Sequence, residues 1–217
     1  MGSMSSRDRI LEAAIVVFAE KGFYSAHMEE IAEHAAVNKA MVYYYFGSKE
    51  KLLSEVLLVI FEEIASSLKS RFFLHTRKLP DNPVDRFRRF VETHFDVFAA
   101  HQNFARIMVN VMAIKPEELK KVFLENHVIK DIFAEVLKTF QEGYEAKLFR
   151  NIDYRQLLIS IVGMNLVYFV TKPIAQVFLL FEVTDEKKFI QERKKFIVDL
   201  LLNGILEKTL PAVEVPQ

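Results

Sequence analysis

Apolar residues recur at intervals of three and four along nearly the whole chain, and no stretch alternates one-for-one, so the pattern predicts helices throughout and no strands. The first helix runs roughly from Arg7 to Lys21, with Ile10, Leu11, Ala14, Val17 and Phe18 on one face and Gly22 as its stop. A short second helix turns Met28, Ile31, Ala32 and Ala35 inward. A third opens after Asn38, a good N-cap type, and ends near Tyr45, where Gly47 breaks the chain and Ser48 can cap the next helix. The fourth extends from about Lys49 to the mid-70s along the stripe Leu53, Leu57, Ile60, Ile64 and Leu68. At 1.5 Å per residue it spans about 40 Å and so belongs to both halves of the molecule. Leu79-Pro80-Asp81-Asn82-Pro83 reads as a loop. A fifth helix then reaches about Ala100, and a sixth covers Phe104 to Ala113. The seventh runs from Pro116 to about Phe149, with an interruption near Asn126 left open. The eighth begins near Asp153 and the ninth near Asp185, ahead of a short tail with Pro211 and Pro216. The class is all-α, divided into residues 1–50 and residues 51–217.

Within the first unit, two short helices joined by a tight turn form a helix-turn-helix, whose second helix must expose side chains to base edges while its other face locks onto the first. At about 100° per residue from Val42 as the inward centre, Phe46 also points inward, Ala40 and Tyr44 point directly away, and Met41 and Tyr43 lie on the flanks. Lys39, at the helix start, can reach a guanine edge or a phosphate. Tyrosine hydroxyls can donate to phosphate while their rings pack on sugars and thymine methyls. Ala40 and Met41 offer only apolar contacts, so hydrogen-bonded base readout is expected to be sparse. Lys49 opens the fourth helix beside free backbone N–H groups, a combination that suits a phosphate. The same tyrosines and lysine could simply decorate a helix surface, but exposing Tyr43, Tyr44 and Tyr45 together is costly unless something covers them.

Over residues 7 to about 57 the chain resembles the N-terminal module of the tetracycline-repressor (TetR) family of ligand-responsive transcription regulators. The resemblance rests on Gly22-Phe23, Ile31-Ala32, Ala35, Val37, Tyr43, Phe46, Ser48-Lys49-Glu50 and Leu52. It implies that Lys39, Ala40, Met41, Tyr43 and Tyr44 contact DNA and that Lys49 holds a phosphate. Two positions depart from the family pattern. His27 stands where a Ser or Thr usually caps the second helix and often bonds a phosphate, so its own DNA contact is carried over only by position. Ala36 replaces the usual turn glycine, which strains the turn if φ there is positive.

Beyond about residue 80 the resemblance is architectural only, and the residues argue for two things. The first is a second copy of the chain. From Phe196 to Leu206 eight of eleven positions are apolar, with Glu192, Asp199 and Asn203 on one narrow polar stripe. The eighth helix is apolar nearly all round. Together they suit a four-helix homodimer seam, with Leu201 expected inside it. Burial of both helices within a monomer is the alternative. The apolar run Leu157 to Val170 is broken by Ser160 and Asn165 and ends at Lys172-Pro173, short of the ~20 residues a membrane span needs, and reads as a buried bundle helix. The second is a cavity for a small, largely apolar effector. His94 interrupts the stripe Phe87, Val91, Phe98, Tyr144 sits similarly on the seventh helix, and Asn165 and Tyr168 on the eighth, with Met108, Met112 and Met164 near by type. Each of these, taken alone, is more often a satisfied core residue.

Composition narrows the remaining classes. Of 217 residues 51% are apolar, ample for burial and against wholesale disorder. Cysteine is absent, which removes disulfides, thiol catalysis and cysteine zinc sites and suits a reducing cytoplasm. The N-terminus lacks the basic and apolar pattern of a secretory signal, so a cytoplasmic location is expected. Among six histidines only His94 and His101 share a plausible metal spacing, and no third ligand accompanies them. Nucleophile elbows and glycine-rich phosphate loops are missing too, so neither an enzyme nor a cofactor is expected. Net charge is zero, and residues 1–51 hold six Lys/Arg against seven Asp/Glu, or −1. DNA binding must therefore come from placed cations and helix ends, not from a broad basic field. The reading is a regulator, most simply a repressor released from a palindromic operator by its effector; the module's charge favours the alternative of a helical small-molecule carrier without DNA binding.

Overall fold

The computed structural model describes residues 4–70, 82–178 and 183–207, apart from the side chains of Val128 and Ile129. Ten helices are formed among them: α1 (Ser6–Ser25), α2 (Met28–His34), α3 (Lys39–Phe46), α4 (Lys49–Leu68), α5 (Pro83–Ala100), α6 (Gln102–Ile114), α7 (Pro116–Glu125), α8 (His127–Glu145), α9 (Tyr154–Phe178) and α10 (Glu186–Ile205). An isolated bridge pairs Phe149 with Leu206. The expected continuation of the fourth helix past residue 70, residues 79–81 of the loop and the tail prolines lie outside the described residues.

Capping explains most of the boundaries. The Asn38 side chain accepts from Ala40 N–H at 2.9 Å, and that of Ser48 from Lys51 N–H at 3.2 Å, satisfying donors that have no partner within their own helices. Gly22 breaks α1 at φ +72°, followed by one further turn to Ser25, and Gly47 closes α3 at φ +74°. Ala36 sits at φ +51°, so the turn between α2 and α3 carries the strain its missing glycine implies, about 1–2 kcal/mol. The seventh predicted helix is two: Asn126, extended at ψ 103°, separates α7 from α8.

α4 ties the halves together. Its Leu52, Leu53 and Val56 are buried next to the N-terminal helices, with α1 and α3 as neighbours, while its later turns pack on α5, α7 and α8. The apolar core is one cluster, continuous from Ile10, Ile31 and Val42 through Leu57 and Ile60 to Phe87, Phe95 and Ile107. α9 departs from the expected fully buried helix. It is long and apolar enough to cross a membrane by composition, yet it buries only the stripe Ile161, Asn165, Leu166 and Phe169 and exposes Ile159, Val167, Val170, Ile174, Val177 and Phe178. Leu201, placed in the seam by the sequence reading, is instead 4% exposed and packs inside the chain, whereas Phe196 and Leu200 of α10 face outward.

Candidate nucleic-acid interface and interior cavity

On α3, Val42 and Phe46 are buried, and Tyr44 is 83% exposed with Tyr43 and Tyr45 half exposed beside it. Ala40 is exposed and Met41 half-buried, so the outward face has the composition read from the sequence. The rings of Tyr44 and Tyr45 meet edge to face at 5.2 Å, which stiffens the protruding pair. Lys39 is paired with Glu29 of α2 and lies 5.7 Å from the centre of the Tyr43 ring. The same hydrogen bond holds the Glu29 carboxyl below its ordinary value and the Lys39 ammonium above its own. Lys21 is likewise paired with Glu30. Cations of the module are thus held in place by its own acids, which is how so little net charge still leaves ammonium groups at defined points. His27 is the N-cap of α2, and its backbone N–H donates to Glu30 Oε2 at 3.3 Å.

Lys49 anchors the end of α1. Its Nζ donates to the carbonyl oxygens of Tyr24 at 3.2 Å and Ala26 at 3.0 Å, and stands 4.7 Å from the centre of the Phe23 ring. Two of the three ammonium donors therefore brace the C-terminal end of α1.

The C-terminal helices enclose a cavity of about 280 Å³. Phe61 and Ile64 of α4, Phe90 and Phe98 of α5, and Leu158, Val162 and Leu166 of α9 form much of its wall, closed by α6, α7 and α8. Of the seven residues proposed from sequence for a ligand, His94, Met108 and Met112 line it. Asn165 stands behind the wall at 0% exposure, with its amide nitrogen 2.8 Å from His94 Nδ1. The other three are elsewhere. Leu158, Val162 and Leu166 fix the inward face of α9; Met164 and Tyr168 lie about 200–240° round the helix from Val162 and instead border a groove with Phe189 and Arg193 of α10. Tyr144 shares the azimuth of the lining residue Phe133, but eleven residues along α8 carry it about 17 Å past the cavity, into a surface groove with Phe149 and Tyr154. Of the cavity's phenylalanines the sequence reading named one in connection with it, Phe98, on the stripe that His94 interrupts. His101, the other candidate of the metal-spaced pair, stacks on Phe104 at 4.7 Å beside Glu63 and is not among the residues lining the cavity.

Burial pushes the His94 imidazole down from its ordinary 6.5 to about 4, because a charged ring there would lose its hydration. The ring is neutral at physiological pH. As pH falls the unfolded chain takes up this proton first, so native stability is lost between about 6.5 and 4, by about 3 kcal/mol over the whole window. Urea unfolding of His94→Gln across that interval should give a flatter stability profile than the unsubstituted chain; parallel profiles would assign the acid sensitivity to another group.

Besides the continuous α4, the C-terminal unit meets the N-terminal one where α6 packs on α1, around the Gly22 turn. Asn110 of α6 accepts at Oδ1 from Phe23 N–H at 3.4 Å, and a Cβ on Gly22 would come within 3.1 Å of the same amide. Lys115, between α6 and α7, holds its Nζ 4.5 Å from the centre of the Phe23 ring, and Ser54 of α4 donates to Glu118 of α7 at 3.2 Å. The Gly22 signal was legible in the sequence; Asn110 carried none.

Comparison with known proteins agrees with this arrangement. Residues 10–56 match the N-terminal domain of bacterial regulatory proteins of the tetR family, and residues 83–201 a tetracyclin repressor-like C-terminal domain. The transcriptional repressor NicS of Pseudomonas putida is 31% identical over 208 residues, covering 92% of both chains. The transcriptional activator FasR of Mycolicibacterium smegmatis is 30% identical over 157 residues, 71% of this chain and 68% of that protein. Among solved structures, the TetR family regulator PfmR of Thermus thermophilus superposes with a TM-score of 0.66 at 23% identity, covering 90% of this chain and 98% of its own. A C-terminal match over more than half of the chain, and a relative of 31% identity along almost all of it, establish that the protein belongs to the TetR family and is a DNA-binding transcriptional regulator.

Proposed function

We propose that this regulator is a repressor that binds a palindromic operator as a homodimer and leaves it when a small, largely apolar effector occupies the cavity of residues 51–217. The observation that carries the reading is the position of α4: Phe61 and Ile64 line the cavity, while Ser48 and Lys49 at its start adjoin the recognition helix. Residues 1–50 are the DNA-reading unit, with Lys39, Ala40, Met41, Tyr43 and Tyr44 on base edges and sugars, and His27 and Lys49 on phosphates. An apolar cavity of about 150 Å³ accommodates one benzene, so this one suits a ligand of about two aromatic rings. Relatives include both a repressor and an activator; the repressor covers more of the chain, which favours release over recruitment. Family membership sets aside the carrier reading drawn from the module's charge. An intracellular site of action follows from the same reading.

A gel shift against genomic fragments, with non-specific DNA in excess, should retain a fragment carrying an inverted repeat; retention of none overturns the proposal. On that fragment, Lys49→Ala should weaken binding about equally for specific and random sequences, because a phosphate contact carries no base information. Tyr44→Ala should weaken the specific site more than random DNA. The salt dependence should be shallow, since log K falls by about 0.9 per phosphate neutralised and few cations are placed for the task. A slope indicating ten or more phosphates would contradict the contact set.

A further inference from the structure

The cavity contains one side chain able to read polarity from deep within its wall, and the way that side chain is held defines what it can read. His94 lies between Phe90 and Phe98, with ring centres 6.1 Å and 5.2 Å from its own. Its Nδ1 is 2.8 Å from the amide nitrogen of Asn165. Two nitrogens at that distance share one proton: the amide donates, Nδ1 accepts, and the ring proton resides on Nε2. Asn165 has no exposure, and its Oδ1 is buried without a hydrogen-bond partner among the described residues. A buried unsatisfied carbonyl is costly, and a leucine would pack the same stripe of α9 without that cost. Asn165 is thus accounted for by its hold on His94. The remaining lining is almost wholly apolar, and Lys120, the ammonium among the lining residues, is exposed on α7 and belongs to the rim.

We infer that the effector is an uncharged, mainly hydrocarbon or aromatic molecule carrying one hydrogen-bond acceptor, of the ketone, ester or lactone type, and that His94 Nε2–H donates to this acceptor while Asn165 acts as a positioning residue that fixes the tautomer. The inference rests on the cavity being the effector site. A carboxylate at the same depth would give up its hydration without a buried cation to replace it. A pure hydrocarbon would leave the Nε2–H unpaired in an apolar enclosure. Both are disfavoured relative to a neutral acceptor, the hydrocarbon by the loss of one buried hydrogen bond, about ten- to a hundredfold in affinity.

The test uses three probes of similar shape: 2-acetylnaphthalene, 2-isopropenylnaphthalene and 2-naphthoate. Each is titrated into the full chain by calorimetry, and each is then added to the operator complex. The ketone should bind about tenfold or more tighter than either of the others. His94→Leu should erase the preference and bind the hydrocarbon at least as well as before, whereas His94→Gln, which retains an N–H donor, should restore part of it. Asn165→Leu should weaken the ketone and leave the hydrocarbon unchanged, a split that general loosening of the fold would not produce. Equal binding of ketone and hydrocarbon overturns the inference while leaving the cavity as an effector site, and preference for the naphthoate overturns it in favour of an acid. Absence of binding by all three overturns the cavity itself as the effector site. A ketone that binds as expected but leaves the operator complex intact supports the inference and counts against the release mechanism alone.

Discussion

Replacing Ile174 by glutamate should leave the protein monomeric at micromolar concentration and remove tight operator binding. The outward residues of α9 follow the spacing Ile159, Val167, Val170, Ile174 and Val177/Phe178, interrupted only by Gly163 and Thr171, and Ile174 is 58% exposed. α10 adds Phe196 at 57% and Leu200 at 48%. An apolar strip five turns long, flanked by a second helix with two further apolar side chains, is what a four-helix seam between two copies covers. A two-fold axis presents the new carboxylate twice. Burying each without a partner costs about 3–5 kcal/mol, and every 1.4 kcal/mol is a factor of ten in the dissociation constant. A monomer can engage only one half-site, so operator affinity should fall with it. Sedimentation equilibrium of the two proteins decides the matter. An unsubstituted chain that is monomeric at micromolar concentration ends the dimer reading, and a dimer that survives Ile174→Glu places the seam elsewhere. Leu201→Glu, the substitution suggested by the sequence, would be a poorer test: Leu201 is internal, and its replacement would damage the fold before the interface.

The contrast between Ile174 and Leu201 shows what periodicity can and cannot give. In α3 the spacing alone was enough to turn Val42 and Phe46 inward and Tyr44 outward. Caps at Asn38 and Ser48 are local hydrogen bonds between neighbours in sequence and were equally legible. α9 and the end of α10 are apolar on nearly every side, and burial by the same chain and burial by another copy leave the same pattern. The azimuth facing the core then has no marker, and Leu201 was assigned to the wrong side.

The cavity failed in a different way. Periodicity gives the rotation of a side chain about its helix but not its height in the bundle, which is set by how neighbouring helices slide against one another. Tyr144 has a suitable rotation and the wrong height. Met164 and Tyr168 have a suitable height and the wrong rotation. His94 was identified because a titratable ring on the stripe Phe87, Val91, Phe98 is a departure that needs an account, and its bond to Asn165 supplies one. Asn110 offered no such departure. An asparagine on a helix surface is ordinary, and its partner, the Phe23 N–H, is a backbone group freed only because Gly22 breaks α1.

Asn110 carries the last expectation: Asn110→Ala should disconnect effector from operator while leaving each able to bind. α6 reaches both sites, with Met108 and Met112 on the cavity and Asn110, about 200° round from Met108, against the Gly22 turn. A helix of 13 residues is about 20 Å long and moves as a rod, so displacing its methionines displaces the amide that holds Phe23. The far side of that turn is gripped by Lys49, whose Nζ takes the Tyr24 and Ala26 carbonyls and approaches the same Phe23 ring as Lys115. Effector and operator would thus bias one turn from opposite sides, in addition to any tilt of α4. An effector shifts the equilibrium only as far as it binds the two arrangements unequally, usually ~1–3 kcal/mol or about 5–150-fold, and operator must weaken effector binding by the same factor. In the unsubstituted protein the effector's dissociation constant should therefore rise by that factor when operator is saturating. In Asn110→Ala the DNA-free value should be largely retained, because Met108 and Met112 are untouched, and the ratio should fall toward one. An unchanged ratio in the variant would mean that α4 transmits the signal without α6. Equal constants with and without operator in the unsubstituted protein would mean that the cavity and the recognition helix are not coupled at all.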